Sequence, residues 1–427
     1  MQIPMNIGDD RNAHRRRATL AKRAAVLLAA LVWIVSGALL WRTQVPRLDL
    51  PGLDPRAYFS GDDLERIADY RRVTRLLLAA SLLVQLGVIA VIVWKAGAIA
   101  DLLAGTLHGR IRTGVGVGLF VALSLWLVLL PLGATSHWWR RRYGLSEQSY
   151  AGWLRDSGVS LGVRLVLVTV AVAGAMFLAS KLGSSWWLAG APALVGLAAL
   201  FTLLQPLVVE PLFNRFEPVK DPALVADIEE LADRMGVRVD EVLVADASRR
   251  TTAGNAYVSG LGPSKRVVLY DTLLAGRFSA GEIRVITAHE LAHVARAHLW
   301  KGIAWFTLIA IPGVFLVAWI TERRGGLDDP ERVPLAIAVA LVFFLATLPF
   351  QNFLSRRYEA EADWLALEAT RDPESAVALD RRLVVTNLAD PDPPALYYAV
   401  FATHPSPMER IAMAEAFRDR LALRAGS

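Results

Sequence analysis

Long runs of apolar residues constrain this chain more than any other feature of it. Six of them, at 24–41, 76–94, 114–134, 184–209, 302–320 and 333–350, approach or exceed the length of a membrane crossing. A helix rises about 1.5 Å per residue and the hydrocarbon core is about 30 Å thick, so roughly 20 apolar residues make one crossing. A seventh run, at 165–180, is shorter, but Arg164 and Lys181 flank it with stems long enough to reach the interface. Of the 427 residues 54% are hydrophobic and only 20% charged. An average soluble domain carries roughly 25% charge, so a set of two or three soluble domains is excluded in favour of a polytopic membrane protein. The basic stretch "RNAHRRRATLAKR" before the first run suggests a signal peptide. That run is too long for one, and Trp41-Arg42 is a poor cleavage context, so it reads as a retained anchor.

The runs divide the chain. Five fall within 1–209, the N-terminal membrane region. A polar segment, 210–301, precedes the two runs of 302–350, and a polar tail, 351–427, follows them. Two crossings separate the polar pieces, so they lie on one side of the membrane and can assemble into a single domain. The fold class expected is mostly α: about seven transmembrane helices carrying a small α+β domain. In the polar pieces "DPALVADIEELADRMG" has an amphipathic helical period with Gly236 to stop it. "DEVLVADAS", "NAYVSG" and "KRVVLYD" read as short strands. "SAGEIRVITAHELAHVARAHL" opens with a capping box, Ser279 and Glu282, and reads as helix almost to Gly302. "SRRYEAEADWLALEAT" and the segment from Ser406 read as two further amphipathic helices.

There is no cysteine, which excludes disulfides, thiolate metal sites and a cysteine nucleophile. The net charge of +6 comes with no nucleic-acid motif. Its arginines sit mostly at the ends of apolar runs, where they orient helices, so the bilayer is the expected partner and nucleic acid is not.

The chemistry lies in "HELAH" (289–293). Residues four apart share a helix face, so His289 and His293 can address one ion. Glu290 sits one position round, where it can take a proton from a water that zinc has acidified to a pKa of about 7. A chance HExxH occurs in on the order of one such chain in a hundred or fewer, and its helical setting favours the metal. Catalytic zinc takes three protein ligands and keeps one position open. Glu359 and Asp363, also four apart, can supply the third ligand and a carboxylate that orients a ligand imidazole. On spacing alone either carboxylate fits either part, and Glu361 between them reads as a solvated face.

These motifs identify a resemblance. "HELAH" with His298, "SRRYEAEAD" (355–363), "PLFNRF" (211–216), "NAYVSG" before "KRVVLYDTLL", and "THPSPMER" (403–410) are similar to the type I CaaX prenyl endopeptidases, integral-membrane zinc metalloproteases. The resemblance extends from "FSGDDLERIADYRR" almost to the C-terminus. It implies Zn2+ held by His289, His293 and Glu359, with Asp363 supporting the site. It further implies that His404 and Arg410 stabilise the oxyanion, and that the strand at Asn255, Ala256 and Tyr257 aligns substrate backbone by edge pairing. The implied substrate is a peptide or protein, prenylated in that family, whose C-terminal tripeptide is removed.

Orientation sets two signals against each other. The basic tail before the first run places the polar pieces outside the cytoplasm. Against it, the segment 42–75 holds seven arginines and 137–157 four, on the polar pieces' side, whereas the opposite short loops hold three, one and three basic residues. A cytoplasmic catalytic face follows from the loops and from the resemblance. Two other functions remain open at this point: a quality-control protease for misfolded membrane proteins, and a non-catalytic channel, scaffold or transporter. The intact Glu290 speaks against the last.

Overall fold

The structure is a computed structural model that describes residues 27–260 and 265–425. It opens with α1 (Leu27–Leu40), a shorter apolar helix; positions 24–26 of that run lie outside the described residues. There follow α2 (Gly61–Trp94), the short α3 (Ala96–Ala104), α4 (Arg110–Arg142), α5 (Tyr150–Leu182) and α6 (Trp187–Leu204). Ser60 caps α2 by accepting from Asp63 N at 3.1 Å, and Ser149 caps α5 through Gly152 N, also at 3.1 Å. Both caps lie in polar segments, where the chain must satisfy its free N–H groups before entering lipid. The run at 165–180 is the C-terminal half of α5, which reaches 33 residues.

The first polar segment then builds β1 (Phe216–Pro218), α7 (Pro222–Arg234), β2 (Glu241–Ala245), β3 (Ala256–Ser259), β4 (Arg266–Tyr270), α8 (Asp271–Leu274) and α9 (Ala280–Ala295). Asp221 caps α7, and Gly236, at φ +68°, turns the chain out of it. The strands lie in the order β1-β2-β4-β3, with β2 and β4 parallel and the outer pairs antiparallel. Val267, Leu269, Leu291 and Leu231 are buried in the core between this sheet and its helices. Thus β3 forms an edge, and no strand among the described residues covers its outer side.

The chain re-enters the apolar layer through α10 (His298–Glu322) and α11 (Val333–Thr370), then closes with α12 (Pro373–Asn387), α13 (Ala395–Phe401) and α14 (Pro407–Ala425). Six helices among the described residues, α2, α4, α5, α6, α10 and α11, are long and apolar enough to cross a membrane.

Two expectations about element boundaries change. The motif helix does not continue to Gly302. It ends at Ala295, Ala297 adopts the left-handed conformation at φ 53°, and α10 begins afresh at His298. Residues 295–299 are all acceptable in a helix, so no periodicity reveals the break. A left-handed non-glycine residue costs roughly 1–2 kcal/mol, and the contacts made by His298 after the turn are what hold it. The tail helix "SRRYEAEADWLALEAT", in turn, is the polar end of α11, which runs unbroken for 38 residues.

Candidate active site

Helix α9 starts from its capping box: Ser279 Oγ accepts from Glu282 N, and Glu282 Oε2 accepts from Ser279 N at 2.6 Å. Glu282 is fully buried, and its other oxygen accepts from Arg382 Nε of α12 at 2.7 Å. The helix is therefore fixed at its start, and His289 and His293 emerge two and three turns along, facing the polar end of α11.

Three ligand atoms converge there. His289 Nε2 stands 3.1 Å from His293 Nε2 and 3.2 Å from Glu359 Oε2, and His293 Nε2 stands 3.5 Å from that oxygen. All three lie within 4.8 Å of one another. Donors at about 2.0–2.1 Å around a tetrahedral zinc stand roughly 3.3 Å apart, so the spacing and the donor set fit that ion. Glu290 leaves the helix beside this cluster and is half-buried. Burial raises its carboxyl above the ordinary carboxylate range, against the pull of His289 and His293.

Asp363, four residues after Glu359 on the same face of α11, meets the outer nitrogen of His289: Nδ1 to Oδ1 is 2.7 Å. Arg410 of α14 grips Asp363 from behind, with Nε 2.9 Å from Oδ2 and Nη2 2.6 Å from Oδ1. Its Nη1 lies 3.1 Å from Asp380 Oδ1. Burial would raise the Asp363 carboxyl, but the Arg410 guanidinium and His289 hold it well below the ordinary range. At Asp380 burial prevails and pushes the carboxyl up to about 6. Arg410 was expected at the oxyanion itself. In the structure its Nε, Nη1 and Nη2 meet these two carboxylates. His404 stands at the open side: its side chain is 57% exposed, Nε2 is 3.2 Å from Glu359 Oε2, and Nδ1 is 2.8 Å from Thr403 Oγ1.

Glu361 corrects the sequence reading, which placed it on a solvated face. It is fully buried and accepts from Gln44 N at 2.8 Å and Arg296 Nε at 3.0 Å through Oε1. Burial disfavours its charge, but His298, the Gln44 N–H and the cations Lys301 and Arg296 hold its carboxyl down at about 2. Both faces of α11 are covered here, so helical period alone could not sort them. The basic residues Arg296 and Lys301 after the motif were the available signal. Asp380 and the Glu282–Arg382 pair were likewise not singled out in the sequence, since their partners come from distant elements.

On the other flank β3 packs beside α9. Asn255 is exposed and its carbonyl accepts from Tyr270 N at 3.0 Å, Ala256 is buried, and Tyr257 donates its hydroxyl to Glu210 Oε2 at 2.8 Å. Tyr270 thus holds β3 from the β4 side, Glu210 holds it from the segment before β1, and no strand among the described residues pairs with its other edge.

The chain is similar to known proteins. Residues 218–418 match the family model of peptidase family M48, and 53–215 match that of the CAAX prenyl protease N-terminal region, described as five membrane helices. The uncharacterized metalloprotease YhfN of Bacillus subtilis (strain 168) is 33% identical over 316 residues, 72% of this chain and 74% of that protein. CAAX prenyl protease 1 of Saccharomyces cerevisiae is 28% identical over 328 residues, 69% of this chain and 70% of its own. The crystal structure of S. mikatae Ste24p superposes with a TM-score of 0.77, covering 90% of this chain and 97% of that one at 21% identity, and so shares the fold. With an HExxH helix in place, both segments matched and a relative one-third identical over most of its length, the chain belongs to peptidase family M48 and is a membrane-embedded metalloendopeptidase.

Proposed function

We propose that the metal is zinc, held by His289, His293 and Glu359, and that the enzyme removes the C-terminal tripeptide of prenylated proteins at the cytoplasmic membrane face. The convergence of three ligand atoms beside Glu290 carries the chemical part of this reading. Similarity to CAAX prenyl protease 1 supports the substrate, and the arginine-rich loops 42–75 and 137–157 support the side.

Zinc, when bound, supplies a Lewis acid that acidifies water and polarises a carbonyl. The chain's own residues do the rest. Glu290 takes the proton of the attacking water on a carboxylate oxygen and delivers it to the departing amide nitrogen, so no charged amine anion has to leave. His404, on the exposed side of the cluster, offers Nε2–H to the carbonyl oxygen as it gains negative charge. Asp363 accepts from His289 Nδ1–H and thereby fixes the nitrogen that faces the metal, while Arg410 holds Asp363 in place. The free edge of β3 at Asn255, Ala256 and Tyr257 aligns an extended peptide by backbone pairing.

Purified, zinc-loaded protein should cleave a farnesylated peptide ending in a CaaX sequence and release its tripeptide, and Glu290→Ala should not. Cleavage of an unprenylated, destabilised membrane protein with the farnesylated peptide left intact would replace this substrate with a quality-control role.

A further inference from the structure

The two zinc histidines are supported differently. His289 turns Nε2 toward the cluster and gives Nδ1 directly to a carboxylate, Asp363, at 2.7 Å. His293 also turns Nε2 toward the cluster, but its Nδ1 meets another imidazole: His298 Nδ1, at 2.9 Å. His298 Nε2 then lies 2.9 Å from Oε2 of Glu361, the buried carboxylate that neither zinc binding nor proton transfer uses.

We propose that His298 and Glu361 form a positioning relay for His293, doing through two residues what Asp363 does for His289 alone. The inference rests on the zinc reading above, and a single pattern of protons satisfies it. With the Nε2 lone pair of His293 committed to a metal, the proton of that ring sits on Nδ1 and is donated to His298 Nδ1. His298 must then accept at Nδ1, so its own proton sits on Nε2, where Glu361 Oε2 accepts it. Each nitrogen has one role and each has a partner.

The surroundings hold the relay rigid. Glu361 stays charged against Arg296 Nε at 3.0 Å and Lys301 Nζ at 3.6 Å, and its second oxygen accepts from Gln44 N just beyond α1. The His298 ring stacks on Tyr358 with centroids 4.7 Å apart and planes 10° from parallel, and Tyr358 donates its hydroxyl to Leu40 O at 2.7 Å. His298 is also the first residue of α10, placed by the left-handed turn at Ala297. Ligand His293 is thereby tied to the ends of α1 and α10, whereas His289 is tied through Asp363 to the polar end of α11 and to Arg410 of α14.

The test is zinc affinity, read by chelator competition, together with the melting temperature of the metal-free protein, for the full chain in detergent. His298→Leu, which can neither accept nor donate, should bind zinc about 10- to 100-fold more weakly, as losses of such outer partners do. His298→Gln can accept through its oxygen and donate through its nitrogen, and should restore most of the affinity. Metal-free melting temperatures of the two should agree. Wild-type zinc affinity in a folded His298→Leu protein overturns the relay, and so does equal loss in the Leu and Gln variants. If His298→Leu does not fold, Glu361→Gln decides: it should weaken zinc about 10-fold, and unchanged affinity overturns the proposal. Absence of zinc from the wild-type protein would defeat the metal assignment itself, a result distinct from a relay failure in a zinc-binding protein.

Discussion

Helix α11 carries two kinds of protein in one rod. Before Gln351 its outward side chains are apolar and open to lipid: Val342, Phe344 and Phe350 are 56%, 52% and 66% exposed. Beyond that point the same helix buries Glu361, Asp363 and Trp364, and hands Glu359 to the metal cluster. The first half asks chiefly that side chains be apolar, because its backbone groups are paired within the helix except at Pro349, which has no N–H to give. The second half depends on named partners, since a buried carboxylate without its cation or imidazole is costly. Substitutions should therefore act by identity in the polar half and by shape in the apolar half.

The largest effect should come beside the metal-site cluster of the polar half, where α9 contributes Glu290. Glu290→Gln keeps the shape of the side chain and removes the base. It should lower kcat by up to about 10,000-fold, with zinc content and melting temperature unchanged. Near wild-type turnover would assign the base to another residue, and lost zinc would make Glu290 part of the metal's support.

His404 should come next. It is the exposed member of the cluster, held through Thr403 and Glu359 rather than buried among charges. Removing one donor to a developing oxyanion typically costs about 100- to 1,000-fold in rate. His404→Ala should thus lower kcat by that factor, leave KM within a few-fold and leave zinc in place. Unchanged kcat would reject the role, and lost zinc would make His404 a ligand.

The same contrast explains what could be read in advance. Crossings were legible because hydropathy needs no knowledge of neighbours, and HExxH with its paired carboxylates was legible because ligands on one helix face obey a fixed spacing. Glu361 was not, because its partners Gln44, Arg296 and His298 come from two other segments and only the turn at Ala297 brings one of them within reach. Arg410 was placed at the site, but its contacts with the buried Asp363 and Asp380 were not legible, for a similar reason: that burial is a tertiary fact. Which apolar helices touch was equally hidden, as runs rich in Leu, Val and Ala carry no record of their neighbours.

The smallest effects should lie in the apolar half, where they separate helix contact from lipid contact. At Gly114 on α4 an added Cβ would overlap Sδ of Met176 on α5 and come within 3.4 Å of Val333 Cγ2 at the start of α11. Met176 is fully buried, so its thioether can yield only into the cavity of about 460 Å³ that it lines with Trp186, Val317 and Val333, giving up its present packing. At Gly87 on α2 an added Cβ meets nothing within 4 Å. The chemical change is identical in the two places, a methyl group on an apolar helix, and alanine is the better helix former by up to about 1 kcal/mol. Overpacking costs about 1–3 kcal/mol, so Gly114→Ala should lower the thermal midpoint in detergent while Gly87→Ala leaves it unchanged or raises it. Because the candidate metal site lies far along α11 from Val333, activity per folded molecule should survive in both. Equal midpoints for the two variants would mean that α4 and α5 yield at Gly114 as freely as lipid does at Gly87, and the contact between these helices would then not define the fold.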